Sequence, residues 1–193
     1  DTLSHSTFAG VAIGMVLGYN PLITAFIYTS AAAIIIELLR NYYKRYAEMV
    51  MSIVLTLSLG IAIILVSSGK ASANINSYLF GSILTVSKAD IKLIFIIAIL
   101  CFVTIAFLYH KLIYVTFDEE GASTTGIRVK AINYIFTLMV GASIAVSIRV
   151  MGILVISSIM VVPVATALQF KKGFNKTLVI SIVIGLIDIM SGL

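Results

Sequence analysis

Seven apolar runs divide this chain, each bounded by charge or by Gly, Pro and Asn punctuation: about residues 1 to 18, 21 to 38, 49 to 68, 91 to 114, 130 to 148, 150 to 169 and 177 to 193, labelled A to G. A helix crossing hydrocarbon needs about 20 predominantly apolar residues, because each adds only about 1.5 Å. Runs of this length packed into 193 residues leave no room for a separate extramembrane domain. The sequence therefore predicts an all-α, polytopic membrane helix bundle with about seven spanning helices, forming one domain over residues 1–193. Composition agrees: 61% of residues are hydrophobic and 11% charged, against roughly a quarter charged in soluble domains.

The loops fix an orientation. Arg40, Lys44 and Arg45 lie between B and C; Lys111, Arg128 and Lys130 between D and E; Lys171, Lys172 and Lys176 between F and G. Lys70, Lys88, Lys92 and Arg149 fall on the other side. The excess marks the cytoplasmic face, so A runs outward and B returns. The net charge of +5 is thus a topology signal rather than a nucleic-acid footprint. Cys101, alone in an apolar run, supports neither a disulfide framework nor a thiolate metal site. Residues 1 to 20 lack the basic start and cleavage site of a signal peptide. With no initiating methionine, the chain reads as an internal piece, missing sequence at both ends.

Two connections carry information. Between C and D, GKASANINSYLFGSILTVSKAD contains the semi-apolar stretch SYLFGSIL, which reads either as an interfacial or re-entrant piece on the outer side or as a short amphipathic external helix. Between D and E, VTFDEEGASTTGIRVK holds the densest acidic cluster and predicts a short helix. Thr116 and Glu119 have capping-box spacing, or Asp118 is itself the N-cap. Asp118, Glu119 and Glu120 suit a helix N-terminus, and Gly126 can end it. That helix is either a solvated surface turn or a docking element for a cytoplasmic partner.

Run A begins DTLSH. At about 100° per residue, His5, Phe8, Ala12 and Met15 fall within about 40° of Asp1, while Gly10, Gly14 and Gly18 fall on the opposite side. The glycine series permits close approach by a neighbouring helix, so the Asp1/His5 face looks toward a cavity or another subunit. The pair is either an exposed capping arrangement or two ligands of one metal ion. Carboxylate plus imidazole suits Mn²⁺, Zn²⁺ or Fe²⁺, and the lack of thiolate argues against copper(I). Two ligands are too few for a structural zinc site, and an incomplete shell is what a transported ion requires.

Other polar residues compete for attention. Asp188, deep in run G, either completes such a site as a pathway residue or bonds within helix packing. Glu37 pairs with Arg40 or snorkels. His110 is placed at the cytoplasmic interface, and Arg149 near the outer end of E, beside an acid or a lipid head group. Pro163 kinks run F by freeing the carbonyl of Ile159.

Together, DTLSHS at 1 to 6, YLFGSILTVSKAD at 78 to 90, VTFDEEGASTTGI at 115 to 127 and GILVISSIMVVPVATA at 152 to 167 resemble, in order, the membrane permeases of manganese, zinc and iron ABC importers. The resemblance implies a homodimer that binds a pair of cytoplasmic ATP-binding subunits and receives metal from an extracytoplasmic metal-binding protein, in a bacterial cytoplasmic membrane. It implies that Asp1 and His5 coordinate metal in the translocation path. It also implies that the segment holding Phe117, Asp118, Glu119, Glu120, Gly121, Ala122 and Gly126 is the coupling helix that docks on the ATPase. Family members have a further helix before the D-x-L-S-H block and chain beyond run G.

The implied activity is ATP-driven import by alternating access, with no permanently bound cofactor and the divalent metal as cargo. The chain is expected to be a transport subunit rather than an enzyme: it has no GxxxxGK(S/T) phosphate loop and no HExxH motif. Two rivals share part of this pattern, a cobalamin- or siderophore-type ABC permease and an ATP-independent secondary metal transporter.

Overall fold

The computed structural model describes residues 1–69, 75–81 and 86–192. Its regular elements are α1 (Thr2–Leu17), α2 (Pro21–Tyr42), a 3₁₀ turn (Lys44–Tyr46), α3 (Ala47–Ser67), α4 (Ile75–Phe80), α5 (Lys88–Phe117), α6 (Glu119–Thr124), α7 (Val129–Gln169) and α8 (Phe174–Ser191). All regular structure among the described residues is helical, as expected. Among the described residues, five helices are long and apolar enough to cross a membrane, and α1 is a shorter apolar helix.

Runs E and F form a single element, α7, of 41 residues. If straight it would extend about 60 Å. It is not straight: Gly152 sits at φ 75° and ψ 159°, outside helical space. Both ends of α7 meet the same end of α5. Val129 packs with Val115 in one buried cluster, while Phe174, just past the other end, places its ring 5.8 Å from that of Phe117. Near the corner, Arg149 Nη1 donates to Asp90 at the opposite end of α5, 2.9 Å from Oδ2. The chain therefore doubles back at Gly152, and residues 129–151 and 153–169 are the two spans read as E and F. Adding these to the other apolar helices gives the seven anticipated segments.

The element ends follow local chemistry. Asn20 caps α2 by accepting from the Leu22 N–H, with Pro21 in the first turn, where a missing N–H costs nothing. Ser87 and Asp90 form a capping box at the start of α5. Gly18, in the left-handed region, ends α1.

The C/D connection packs into the bundle. Ile75 belongs to the main buried cluster with Phe8, Val11, Ile144, Ile148 and Ile156, and Gly81 abuts the backbone of residues 150–152. That contact is incompatible with a free-lying external helix. Residues 70–74 and 82–85 of this connection, Lys70 among them, lie outside the described residues.

Candidate functional site

Helix α1 is held from two sides. A β-carbon on Gly10 would stand 2.6 Å from Ala25 Cα, and one on Gly14 would stand 2.9 Å from Pro21 Cα, so these glycines let α1 and α2 touch along their backbones. Gly18 does not join them: nothing lies within 4 Å of its added carbon, and it serves only as the C-cap. The anticipated three-glycine packing series is thus two glycines and a cap.

Buried hydroxyls extend the seam. Thr29 Oγ1 donates to Thr7 Oγ1 at 2.8 Å, and Thr7 in turn donates to the Leu3 carbonyl at 2.8 Å. Toward α3, Ser6 and Ser58 hydroxyls lie 3.1 Å apart. Each is satisfied, so these side chains fix the helix against its neighbours at little desolvation cost.

Asp1 and His5 stand apart from this seam. Asp1 occupies the N-cap position of α1, but its side chain makes no capping bond, so it does not serve as the helix cap that one sequence reading allowed. His5 is half-buried; its Nδ1 is shielded from solvent and has no hydrogen-bond partner among the described residues, and neither does the adjacent Ser4 Oγ. A buried polar atom without a partner costs on the order of 1–3 kcal/mol, and such atoms call for an explanation. An imidazole nitrogen one helical turn from a carboxylate that makes no capping bond is a donor set that fits a borderline divalent ion. Among the described residues no group of three His, Cys, Asp or Glu side chains is poised to hold a metal.

Asp188 does not join the pair. It lines a cavity of about 170 Å³ between the second half of α7 and α8, with Leu154, Val155, Ser158, Ile159 and Val162, and no α1 residue contributes. Glu37 is 2% exposed, accepts from Asn41 Nδ2 at 3.2 Å and lies 3.5 Å from Arg40 Nη1. The sequence indicated the Arg40 partner but not the burial. His110 is exposed at the far end of α5, its ring edge-on to Tyr109.

The acidic loop folds as the short helix α6. Asp118 is its N-cap, accepting from the Gly121 N–H at 2.8 Å. Thr116 instead donates back to the Leu112 carbonyl, which decides between the two caps considered. At the other end, Ile127 N–H reaches Ala122 O and Gly126 N–H reaches Ser123 O, with Gly126 at φ 82°, the Schellman pattern. Ala122 is fully buried against Val115, Val129 and Ile132, while Phe117, Asp118, Glu119 and Glu120 are exposed. Between α6 and the turn after α2 lies a cleft of about 730 Å³, lined among others by Asn41, Lys44, Glu119, Glu120, Arg128 and Lys130. The loops assigned to the cytoplasmic face thus share one end of the bundle.

Sequence reasoning missed two pairings. Arg149 with Asp90 was half-legible, as a cation near the outer end wanting an acid. Gly81 against Gly152 had no local signal, because each glycine looks ordinary until the other arrives.

The family model described as the ABC 3 transport family matches residues 1–193. The chain belongs to that family. A probable metal transport system membrane protein of Treponema pallidum (strain Nichols) is 45% identical over 193 residues, covering 100% of this chain and 73% of the relative. The high-affinity zinc uptake system membrane protein ZnuB of Buchnera aphidicola subsp. Acyrthosiphon pisum is 33% identical, over 100% of this chain and 74% of its own length. The manganese transport system membrane protein MntC of Listeria monocytogenes is 28% identical over 100% of this chain and 69% of its own. Among solved structures, PsaBC from Streptococcus pneumoniae in complex with Fab superposes with a TM-score of 0.75 at 25% identity, covering 95% of this chain and 66% of that one. The ABC 3 family fold thus accounts for this bundle nearly end to end.

Proposed function

We propose that this chain is the membrane permease of an ATP-driven importer of divalent transition-metal ions, manganese, zinc or iron, and that Asp1 and His5 contact the ion in passage. The observation that carries this reading is the solvent-shielded ring nitrogen of His5, without a hydrogen-bond partner among the described residues, one turn from the Asp1 carboxylate, which makes no capping bond. Relatives named for zinc and manganese transport support the cargo class. A two-donor site leaves positions for water, which lets an ion leave as readily as it enters.

The fold offers a route for work to reach that site. In this reading the basic end faces the cytoplasm of a bacterial inner membrane, and α6 docks on ATP-binding subunits through Phe117 and the exposed acids Asp118, Glu119 and Glu120. Because Ala122 is packed against Val115 of α5 and Val129 of α7, a displaced α6 carries the ends of both helices. Helix α7 in turn places Ile144, Ile148, Ile153 and Ile156 in the cluster that holds Phe8 and Val11 of α1. Motion at the docking helix so reaches the metal-contacting helix through packed side chains and opens the path alternately to each side. A second permease copy and an extracytoplasmic metal-binding protein complete the assembly, and ATP is hydrolysed by the partner subunits.

The test is uptake of Mn²⁺, Zn²⁺ and Fe²⁺ by the intact importer carrying Asp1→Ala or His5→Ala. Uptake is expected to fall to background with assembly and ATPase capture preserved. Unchanged uptake in both variants would refute the ligand role, and uptake that persists without any ATPase subunit would refute the ATP-driven reading.

A further inference from the structure

A second cationic site lies at the start of α8. Where α5 meets the start of α8, a groove of about 630 Å³ is lined by Ile113, Lys171, Lys172, Phe174, Asn175 and Lys176. Tyr109 Oη donates to Asn175 Oδ1 at 2.7 Å, which fastens α8 to α5 and forms the groove between them. The linker that supplies Lys171 and Lys172 holds Lys171 at φ 48°, the one non-glycine residue with positive φ among the described residues, and Lys176 comes from the first turn of α8.

The charge of this groove differs in kind from that of the cleft beside α6. There, Lys44, Arg128 and Lys130 share the lining with Glu119 and Glu120. Here three lysines share the lining with no acid, and none of them is in an ion pair among the described residues. Three lysines along one groove make its local potential positive, which favours an anion. The surroundings specify which kind. Phe174, 41% exposed, lines the groove beside the lysines, Phe170, 55% exposed, directly precedes Lys171 in the chain, and Ile113 makes an apolar wall. Cations over an apolar rim at the end of spanning helices match a phosphate head group above its acyl chains.

We propose that this groove binds an anionic phospholipid of the cytoplasmic leaflet, its phosphate taken by Lys171, Lys172 and Lys176 and its glycerol and upper acyl region resting on Ile113 and Phe174. The site rests on the orientation proposed above but not on the metal cargo. Occupied, it would fasten the start of α8 to the membrane surface, with the Tyr109–Asn175 bond passing that restraint to α5.

The test uses the intact permease in mild detergent, with phosphatidylglycerol or phosphatidylcholine added and bound lipids counted by native mass spectrometry. Lys171→Gln/Lys172→Gln/Lys176→Gln is expected to weaken phosphatidylglycerol retention roughly tenfold or more and leave phosphatidylcholine unchanged. The triple Lys→Arg variant should retain it, and Lys44→Gln/Lys130→Gln should not alter it. Equal phosphatidylglycerol retention in the triple Gln variant would overturn the proposal. So would its complete displacement by millimolar inorganic phosphate, which would indicate a free-phosphate site, or unchanged lipid with lost ATPase capture, which would indicate a protein contact. Retention is read without transport, so failure here is separable from failure of the import reading.

Discussion

Gly81 and Gly152 meet backbone to backbone. A β-carbon on Gly81 would stand 2.5 Å from the Val150 carbonyl oxygen, and one on Gly152 would stand 2.5 Å from that of Leu79. Both residues also have positive φ, 79° and 75°. The corner that splits α7 into two spans is thus wedged by the end of α4, and the fit has no room for a side chain on either partner.

Replacing either glycine with alanine combines left-handed strain with a clash against backbone that cannot rotate away. Gly81→Ala and Gly152→Ala are each expected to cost about 2–4 kcal/mol. Gly60→Ala is the control, since its added carbon meets nothing within 4 Å inside α3; it should be neutral or stabilising by up to about 1 kcal/mol. Thermal unfolding of the purified intact permease checks all three.

The α1/α2 seam makes a graded prediction. Gly10→Ala, facing Ala25 Cα at 2.6 Å, must push two backbones apart and is expected to destabilise by about 1–3 kcal/mol. Thr7→Val removes the acceptor of the Thr29 hydroxyl in a buried setting, at about 1–2 kcal/mol. Thr29→Val in the Thr7→Val background should recover part of that loss, because neither hydroxyl is then stranded. A double-mutant cycle in the same unfolding assay decides it.

The Arg149–Asp90 pair ties the corner of α7 to the start of α5. Asp90 is 13% exposed and Arg149 32%, so solvent screens part of the attraction. Asp90→Ala also removes the acceptor for the Ser87 N–H and hydroxyl, both at 2.8 Å. It is therefore expected to cost more than Arg149→Gln, about 2 against about 1 kcal/mol. Raising the salt concentration should narrow the stability difference between wild type and Arg149→Gln. No such narrowing would show that the pair contributes no net attraction.

Helix α6 separates folding from docking. Asp118→Ala deletes the N-cap and should loosen α6 by about 1 kcal/mol, whereas Asp118→Asn keeps a capping oxygen and should hold it. Glu119→Gln/Glu120→Gln leaves the cap and the buried Ala122 untouched. If α6 is the docking element, that double variant keeps its unfolding midpoint and loses ATPase co-purification. Retained co-purification would remove the two acids from the interface.

The sequence by itself determined what the solvent dictates. Runs of apolar residues at membrane length can satisfy their backbone only as helices, so the all-helical bundle, its spans and the side bearing the basic loops follow from composition and spacing alone. Local hydrogen bonding is partly legible: spacing narrows the start of α6 to Thr116 or Asp118 and its end to Gly126, because caps act over three or four residues, and the structure selects Asp118. Asp1 and His5 are a candidate pair on spacing alone, one helical turn apart in the sequence.

Tertiary structure decided whatever depends on residues distant in the chain. Gly18 shares its spacing with Gly10 and Gly14, yet only the latter two have a helix against them. Asp188 reads as a candidate ligand because it is an acid in an apolar run, but α8 directs it to a cavity on the far side of α7. Glu37 reads as an acid that pairs with Arg40 or snorkels, and the packing around α2 buries it beside that partner. The wedge of Gly81 into Gly152 joins positions 71 residues apart by number (152 minus 81), and hydrophobic periodicity carries no record of which backbone will arrive at which corner.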